Sequence, residues 1–245
     1  MPLTAPLLAP IFAPFSPRGD RGARRWQNGS RSLPGPIMPL DFAVSALLTL
    51  IVVVDPVSLT PTFLAVTHAL PVAARRSVAL RASLIAGAIL IGTALFGDWL
   101  LRTLGISLPA FRIAGGLLLF AIAFEMLFGV RMRREGQAAE QAVEEHVRNV
   151  AAFPLAIPLL AGPGAITATV LLAGRANGDL MLVGLLIAVV VFVAAACFAA
   201  FRFATQIGRL LGLTGNIVLS RLLGVLLAAL AVQYVVDGLR AVLAG

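Results

Sequence analysis

From residue 42 onward, apolar stretches of about twenty residues alternate with short polar connections. Six such stretches are legible, near 42–67, 79–101, 110–130, 151–173, 180–201 and 216–240. Each has the ~20 residues an α-helix needs to cross a bilayer. One long polar stretch, Arg131 to Asn149, separates the third from the fourth. The pattern predicts an all-α membrane protein of six transmembrane helices, three on either side of a polar cytoplasmic loop.

Two of the six stretches are interrupted. The fourth contains Ala156-Ile157-Pro158-Leu159-Leu160-Ala161-Gly162-Pro163-Gly164-Ala165-Ile166-Thr167, and the first contains Asp55-Pro56-Val57-Ser58-Leu59-Thr60-Pro61. Proline lacks the amide hydrogen and glycine has no side chain to hold a turn, so helices 1 and 4 are expected to be broken. In lipid, the freed backbone groups need partners, which places such breaks inside a bundle or beside a polar cavity. The breaks also correspond: Pro56 maps on Pro158, Pro61 on Pro163 and Thr67 on Thr169, each 102 residues apart. A second match, at offset 109, pairs Arg112-Ile113-Ala114-Gly115 with Arg221-Leu222-Leu223-Gly224. Two matches in the same order predict an internal repeat. Three helices per half is an odd number, so the second half enters from the opposite face and the repeats are inverted. The expected organisation is a tail at 1–37, a first repeat at 38–130, a polar loop at 131–149 and a second repeat at 150–245.

Composition agrees with a polytopic membrane protein: 60% of residues are apolar and the mean hydropathy is +0.98. The one cysteine, Cys197, excludes an internal disulfide or a cysteine metal cluster. His68 and His146 flank different helices, and Glu144-Glu145-His146 has no second histidine at helical spacing, so no metal site is expected. The formal charge is +8, all of its basic residues arginine. These arginines flank apolar segments and do not interleave with aromatics in a patch, which excludes nucleic acid as a partner. Residues 1–37 are rich in Pro, Arg and Gly and lack the ordered features of a secretory signal. Two readings stand: a disordered tail, or translation beginning at Met38. Nine arginines flank one face and four the other, tail excluded, which places both termini in the periplasm.

Asp55 is the foremost chemical candidate, because a carboxylate midway along a span costs about 2.5–3.5 kcal/mol to insert. It either contacts an ion, proton or solute, or caps a half-helix beginning at Pro56. Pro56, Ser58 and Pro61 in the first break, with Gly162, Pro163, Gly164 and Thr167 in the second, are the remaining candidate substrate-binding residues. The bland alternative has the hydroxyls bonding their own helix backbone and the glycines permitting close packing. Arg112 and Arg221 read as snorkelling residues or as gates pairing with an acid, for which Glu125 is the candidate.

The two broken motifs, taken with Phe111-Arg112-Ile113-Ala114-Gly115-Gly116, resemble the MarC family of bacterial inner-membrane proteins from about residue 38 to the C-terminus. The resemblance implies six membrane helices, a start near Met38 and a distant relation to LysE-type exporters. It supplies no substrate and no catalytic residue. Where this chain has Ser58-Leu59, that family commonly has Gly-Asn.

The expectation is a secondary transporter or exporter of a small polar solute, with proton or ion coupling left open and the solute bound between helices 1 and 4. The alternative is a non-transport scaffold or assembly protein. No enzymatic activity and no cofactor are expected: aspartyl chemistry needs two converging carboxylates, and Asp98 lies near a membrane surface. The partners are the lipid bilayer and the solute, and a homo-oligomer is left open.

Overall fold

A computed structural model describes residues 38–131, 133–137 and 151–244. The Glu144-Glu145-His146 motif and residues 1–37 lie outside the described residues. Among the described residues, eight helices carry the fold: α1 (Pro39–Val54), α2 (Thr60–Thr67), α3 (Val72–Thr103), α4 (Leu108–Phe128), α5 (Ala151–Leu160), α6 (Pro163–Ala176), α7 (Leu180–Arg202) and α8 (Ala204–Ala244). Helical backbone continues beyond α4 at 130–131 and 133–137. No strand occurs among the described residues.

Among the described residues, four helical stretches are long and apolar enough to cross a membrane: α3, α4, α7 and the Thr214–Leu243 part of α8. That part of α8 begins just beyond Gly212, whose φ of 59° interrupts the helix. α1 is apolar but shorter, at 16 residues. The apolar segments near 42–67 and 151–173 each divide into two helices, as their prolines demand. The other four stretches were legible to within a few residues, except that α3 begins seven residues before 79, taking in Arg75 and Arg76.

The outer faces of the long helices carry exposed Leu84, Phe96, Phe120, Phe124, Phe192 and Val225. Large apolar side chains outside as well as inside are what a lipid-facing surface requires. The inward face of α3 is built mainly from small residues. On α3, Ala79, Ala82, Ala86, Leu90 and Ala94 recur at helical spacing and are buried. A Cβ at Gly87 would lie 3.3 Å from that of Ala194 on α7. Small residues let helix backbones approach where lipid offers no hydrophobic drive.

The long helices pack in pairs, α4 against α8 and α3 against α7, while α1 and α6 meet at the centre. The α4–α8 pair is antiparallel: Pro109 lies beside Gly238, Gly116 against Ala231, and Ala123 against Gly224. At Gly116 a Cβ would come within 2.7 Å of the Ala231 carbonyl oxygen, so no side chain fits there. α2 is tied to α7 by Phe63 and Phe201, whose rings stack with centroids 4.6 Å apart.

Candidate functional site

The first break opens at Asp55. Its backbone is left-handed (φ 50°, ψ 64°), ending α1, and its amide still donates to the Ile51 carbonyl at 2.9 Å. Asp tolerates this conformation better than most residues because its short side chain bonds locally. Here Oδ1 accepts from the Ser58 amide at 3.3 Å. Asp55 therefore caps a turn over 56–59, and the next helix starts at Thr60, not at Pro56 as the sequence had suggested. The carboxylate is 1% exposed, and Oδ2 has no partner among the described residues.

The second break is built differently. α5 is wound wide, with the Ala161 amide bonding the Ala156 carbonyl five residues back at 2.9 Å, and it includes a cis Ile157–Pro158 bond. Gly162 is extended (φ −79°, ψ 172°), and Pro163 opens α6. A Cβ on Gly162 would sit 2.5 Å from the Pro158 carbonyl oxygen, so the chain folds back closely enough to require glycine. Pro163 suits a first helical position because its missing amide hydrogen has no partner there anyway.

The two breaks adjoin. A Cβ at Gly164 would meet Val53 Cγ1 at 3.3 Å and Ile122 Cδ1 at 2.5 Å, so the start of α6 rests on the end of α1 and on α4. The last carbonyls of α1 run out of helical partners and carry partial negative charge, whereas α6 begins with free amides and partial positive charge.

Arg131 occupies the negative end. Its Nη1 donates to the Val53 carbonyl at 3.2 Å, with Nη2 3.5 Å from that of Val54. Its Nε donates to Glu135 Oε1 at 2.8 Å. Both side chains are largely buried, at 12% and 8% exposure. Glu135, which lies beyond α4, has its carboxyl pushed above the usual glutamate range by burial, against the pull of Arg131. A cavity of about 170 Å³ opens here, lined by Val53, Arg131, Arg134, Glu135, Pro158 and the Gly162–Ala165 start of α6. The site thus offers free helix-terminal amides, a guanidinium and a carboxylate within apolar walls, able to hold a small polar solute.

Of the candidates named from sequence, Gly162, Pro163 and Gly164 line this cavity. Asp55, Pro56, Ser58 and Pro61 belong to the adjoining break, with Pro61 exposed and Pro56 buried. Thr167 lies a turn deeper in α6, its methyl only 2.7 Å from where a Cβ on Gly115 would be. The hydroxyls of Thr67 and Thr169 bond carbonyls of their own helices, at Phe63 and Ala165, and that of Thr60 bonds Val57 in the turn before α2, whereas Ser58 Oγ is buried with no partner among the described residues.

The gate pairing takes another form. Glu125 pairs with Arg134 at 2.8 Å rather than with either candidate arginine. Arg221 lines a separate cavity with Met126 and Ser220. Arg112 is at the opposite end of α4, where Arg175 stacks over the Tyr234 ring at 4.6 Å and lies 3.8 Å from Asp237.

Arg131 and Glu135 are the residues that sequence reasoning missed, having placed both in a solvated loop. The available signal was their spacing: an Arg–Glu pair four apart, just beyond the apolar end Phe128-Gly129-Val130, shares a helix face.

A helix bundle with an apolar exterior and a polar pocket between interrupted helices defines an integral membrane protein. The family model for MarC family integral membrane proteins matches residues 40–243. The UPF0056 membrane protein YhcE of Escherichia coli K12 is 36% identical over 197 residues, which is 80% of this chain and 91% of that protein. A UPF0056 membrane protein of Aquifex aeolicus is 39% identical over 197 residues, covering 80% and 92% respectively. The UPF0056 membrane protein MJ1677 of Methanocaldococcus jannaschii is 37% identical over 211 residues, covering 84% of this chain and all of that one. The chain belongs to the MarC family. No solved structure matches it significantly.

Proposed function

We propose that this protein is a secondary transporter, exporting a small polar solute by alternating access around the two broken helices. The observation that carries the reading is the meeting of the α1 end with the α6 start, beside a cavity holding the Arg131–Glu135 pair. Opposed helix ends at a shared pocket can bind a polar solute through backbone groups that lipid cannot satisfy. Asp55, buried with a free carboxylate oxygen, contributes ion or proton coupling.

In this reading the protein has six membrane crossings in two inverted halves, 38–130 and 150–245. Two features support the inversion. α3 packs on α7 and α4 on α8, so each of these helices meets its counterpart in the other half. Thr67 and Thr169, matched in sequence, are both fully buried and both bond the carbonyl four residues back at 2.7 Å. Rocking one half against the other would then expose the pocket to alternate faces. The protein sits in the bacterial inner membrane with both termini periplasmic, following the arginine bias. It has no enzymatic role in this reading: Asp98 pairs with Arg102 and lines a cavity that Asp55 does not.

The test combines binding with accessibility. Purified protein is screened against polar metabolites for thermal stabilisation, which a native-state ligand must produce. Leu159→Cys, in a Cys197→Ser background, is then labelled with an impermeant maleimide from each face of oriented vesicles. A stabilising solute should change labelling at Leu159→Cys. Asp55→Asn should abolish transport of that solute while leaving membrane insertion intact; normal transport at equal protein level removes Asp55 from the mechanism. No stabilising solute, with labelling indifferent to every compound, would favour a scaffold.

A further inference from the structure

Away from the breaks, a cavity of about 470 Å³ opens where α2 and the start of α3 meet the end of α7 and the start of α8. Its floor is apolar, formed by the stacked Phe63 and Phe201 with Leu64. Its rim carries Arg75, Arg76, Arg202 and Arg209, and no carboxylate among the described residues lines it. Arg75 is held in place, donating to the Leu70 and His68 carbonyls at 3.0 and 2.8 Å. The other three make no ion pair among the described residues. The uncapped first turn of the 32-residue helix α3, at Val72 and Ala73, faces the same space.

A second cavity, of about 540 Å³, occupies the corresponding gap at the opposite end, between the end of α3, the start of α4, the end of α6 and the start of α7. There the single arginine, Arg102, is paired with Asp98 at 2.8 Å. Both cavities arise from the same kind of helix packing, yet only one concentrates cations that no described residue neutralises. Packing alone does not account for that difference.

We propose that the arginine-lined cavity binds the phosphodiester headgroup of an anionic phospholipid. Guanidinium groups match phosphate oxygens in a two-pronged geometry, and the free amides of α3 add donors of the same preference. Basic pockets between membrane helices select anionic headgroups in this way. The apolar floor argues for a lipid over free phosphate. So do Leu80 and Leu84, exposed one and two turns further along α3 on the face of Arg76, which give the acyl chains an apolar track.

The experiment is native mass spectrometry of the full chain in detergent, with phosphatidylglycerol, phosphatidylcholine or inorganic phosphate added. Wild type should retain phosphatidylglycerol in preference to phosphatidylcholine, less so as salt rises. The triple variant Arg76→Gln, Arg202→Gln, Arg209→Gln should bind it on the order of a hundredfold more weakly, about fivefold per arginine. Arg102→Gln should leave retention unchanged. Equal retention of both lipids, salt-independent retention by wild type, or undiminished retention by the triple variant overturns the proposal. Displacement of phosphatidylglycerol by millimolar phosphate also overturns it, by assigning the cavity to a soluble anion.

Discussion

Replacing Arg131 by methionine separates a buried structural cation from a solvated loop charge. Arg131 satisfies the Val53 carbonyl at the C-terminus of α1 and holds Glu135 at 2.8 Å, with both side chains about nine-tenths buried. Methionine keeps much of the side-chain volume and removes every donor. Breaking a buried pair by deleting one partner costs about 3–5 kcal/mol, mostly for the carboxylate left behind. Arg131→Met should therefore destabilise the protein by about 3–5 kcal/mol. Adding Glu135→Gln removes the orphaned charge and should restore about half, leaving the ~1–3 kcal/mol of the unsatisfied α1 carbonyls. The comparison is Arg134→Met, which breaks the pair with Glu125. Arg134 is 66% exposed, so that loss should stay below about 1 kcal/mol. The assay is equilibrium unfolding in mixed micelles across the single and double variants, read as a double-mutant cycle. A cost below about 1 kcal/mol for Arg131→Met, or a double variant no better than the single, would refute the assignment of Arg131 to the helix break.

Gly116→Ala should cost about 1–3 kcal/mol, because the new Cβ meets the Ala231 backbone carbonyl oxygen at 2.7 Å and cannot displace it without parting α4 from α8. Gly164→Ala, whose new Cβ meets the movable Ile122 Cδ1 at 2.5 Å, should cost less than Gly116→Ala, and the reverse order of melting temperatures would show that α4 and α8 are not in backbone contact there. The raised carboxyl of Glu135 makes a signed prediction. The folded protein binds the proton more tightly than the unfolded chain, so its stability contribution is full below the ordinary glutamate value of about 4.3. It declines as pH rises through the higher folded value. Melting temperatures of wild type and Glu135→Gln should thus diverge over that window, with wild type losing ground as pH rises; a relative gain for wild type would contradict the assignment.

The outline of this protein follows from one-dimensional pattern. Runs of apolar residues long enough to span lipid have few alternatives to helix, because lipid leaves backbone groups no other partner. For the same reason Pro56, Pro61, Pro158 and Pro163 announce breaks wherever they fall in such a run. The local form of each break was less legible. Both contain two prolines five apart, yet one became a left-handed Asp55 with a capped turn and the other a wide-wound α5 turned at Gly162.

Only the tertiary structure decided which charges enter the site. Arg131 and Glu135 belong to the most polar stretch of the chain, and composition alone sends such residues to water. They are buried because the last carbonyls of α1 run out of helical partners beneath them, an acceptor created by residues 77 and 78 positions away. The same holds for Glu125, whose partner Arg134 is nine residues on. Apolar periodicity is carried by each segment separately, so the sequence displays it. The partner of a charge depends on where two segments are brought together in space, and that is a property of packing.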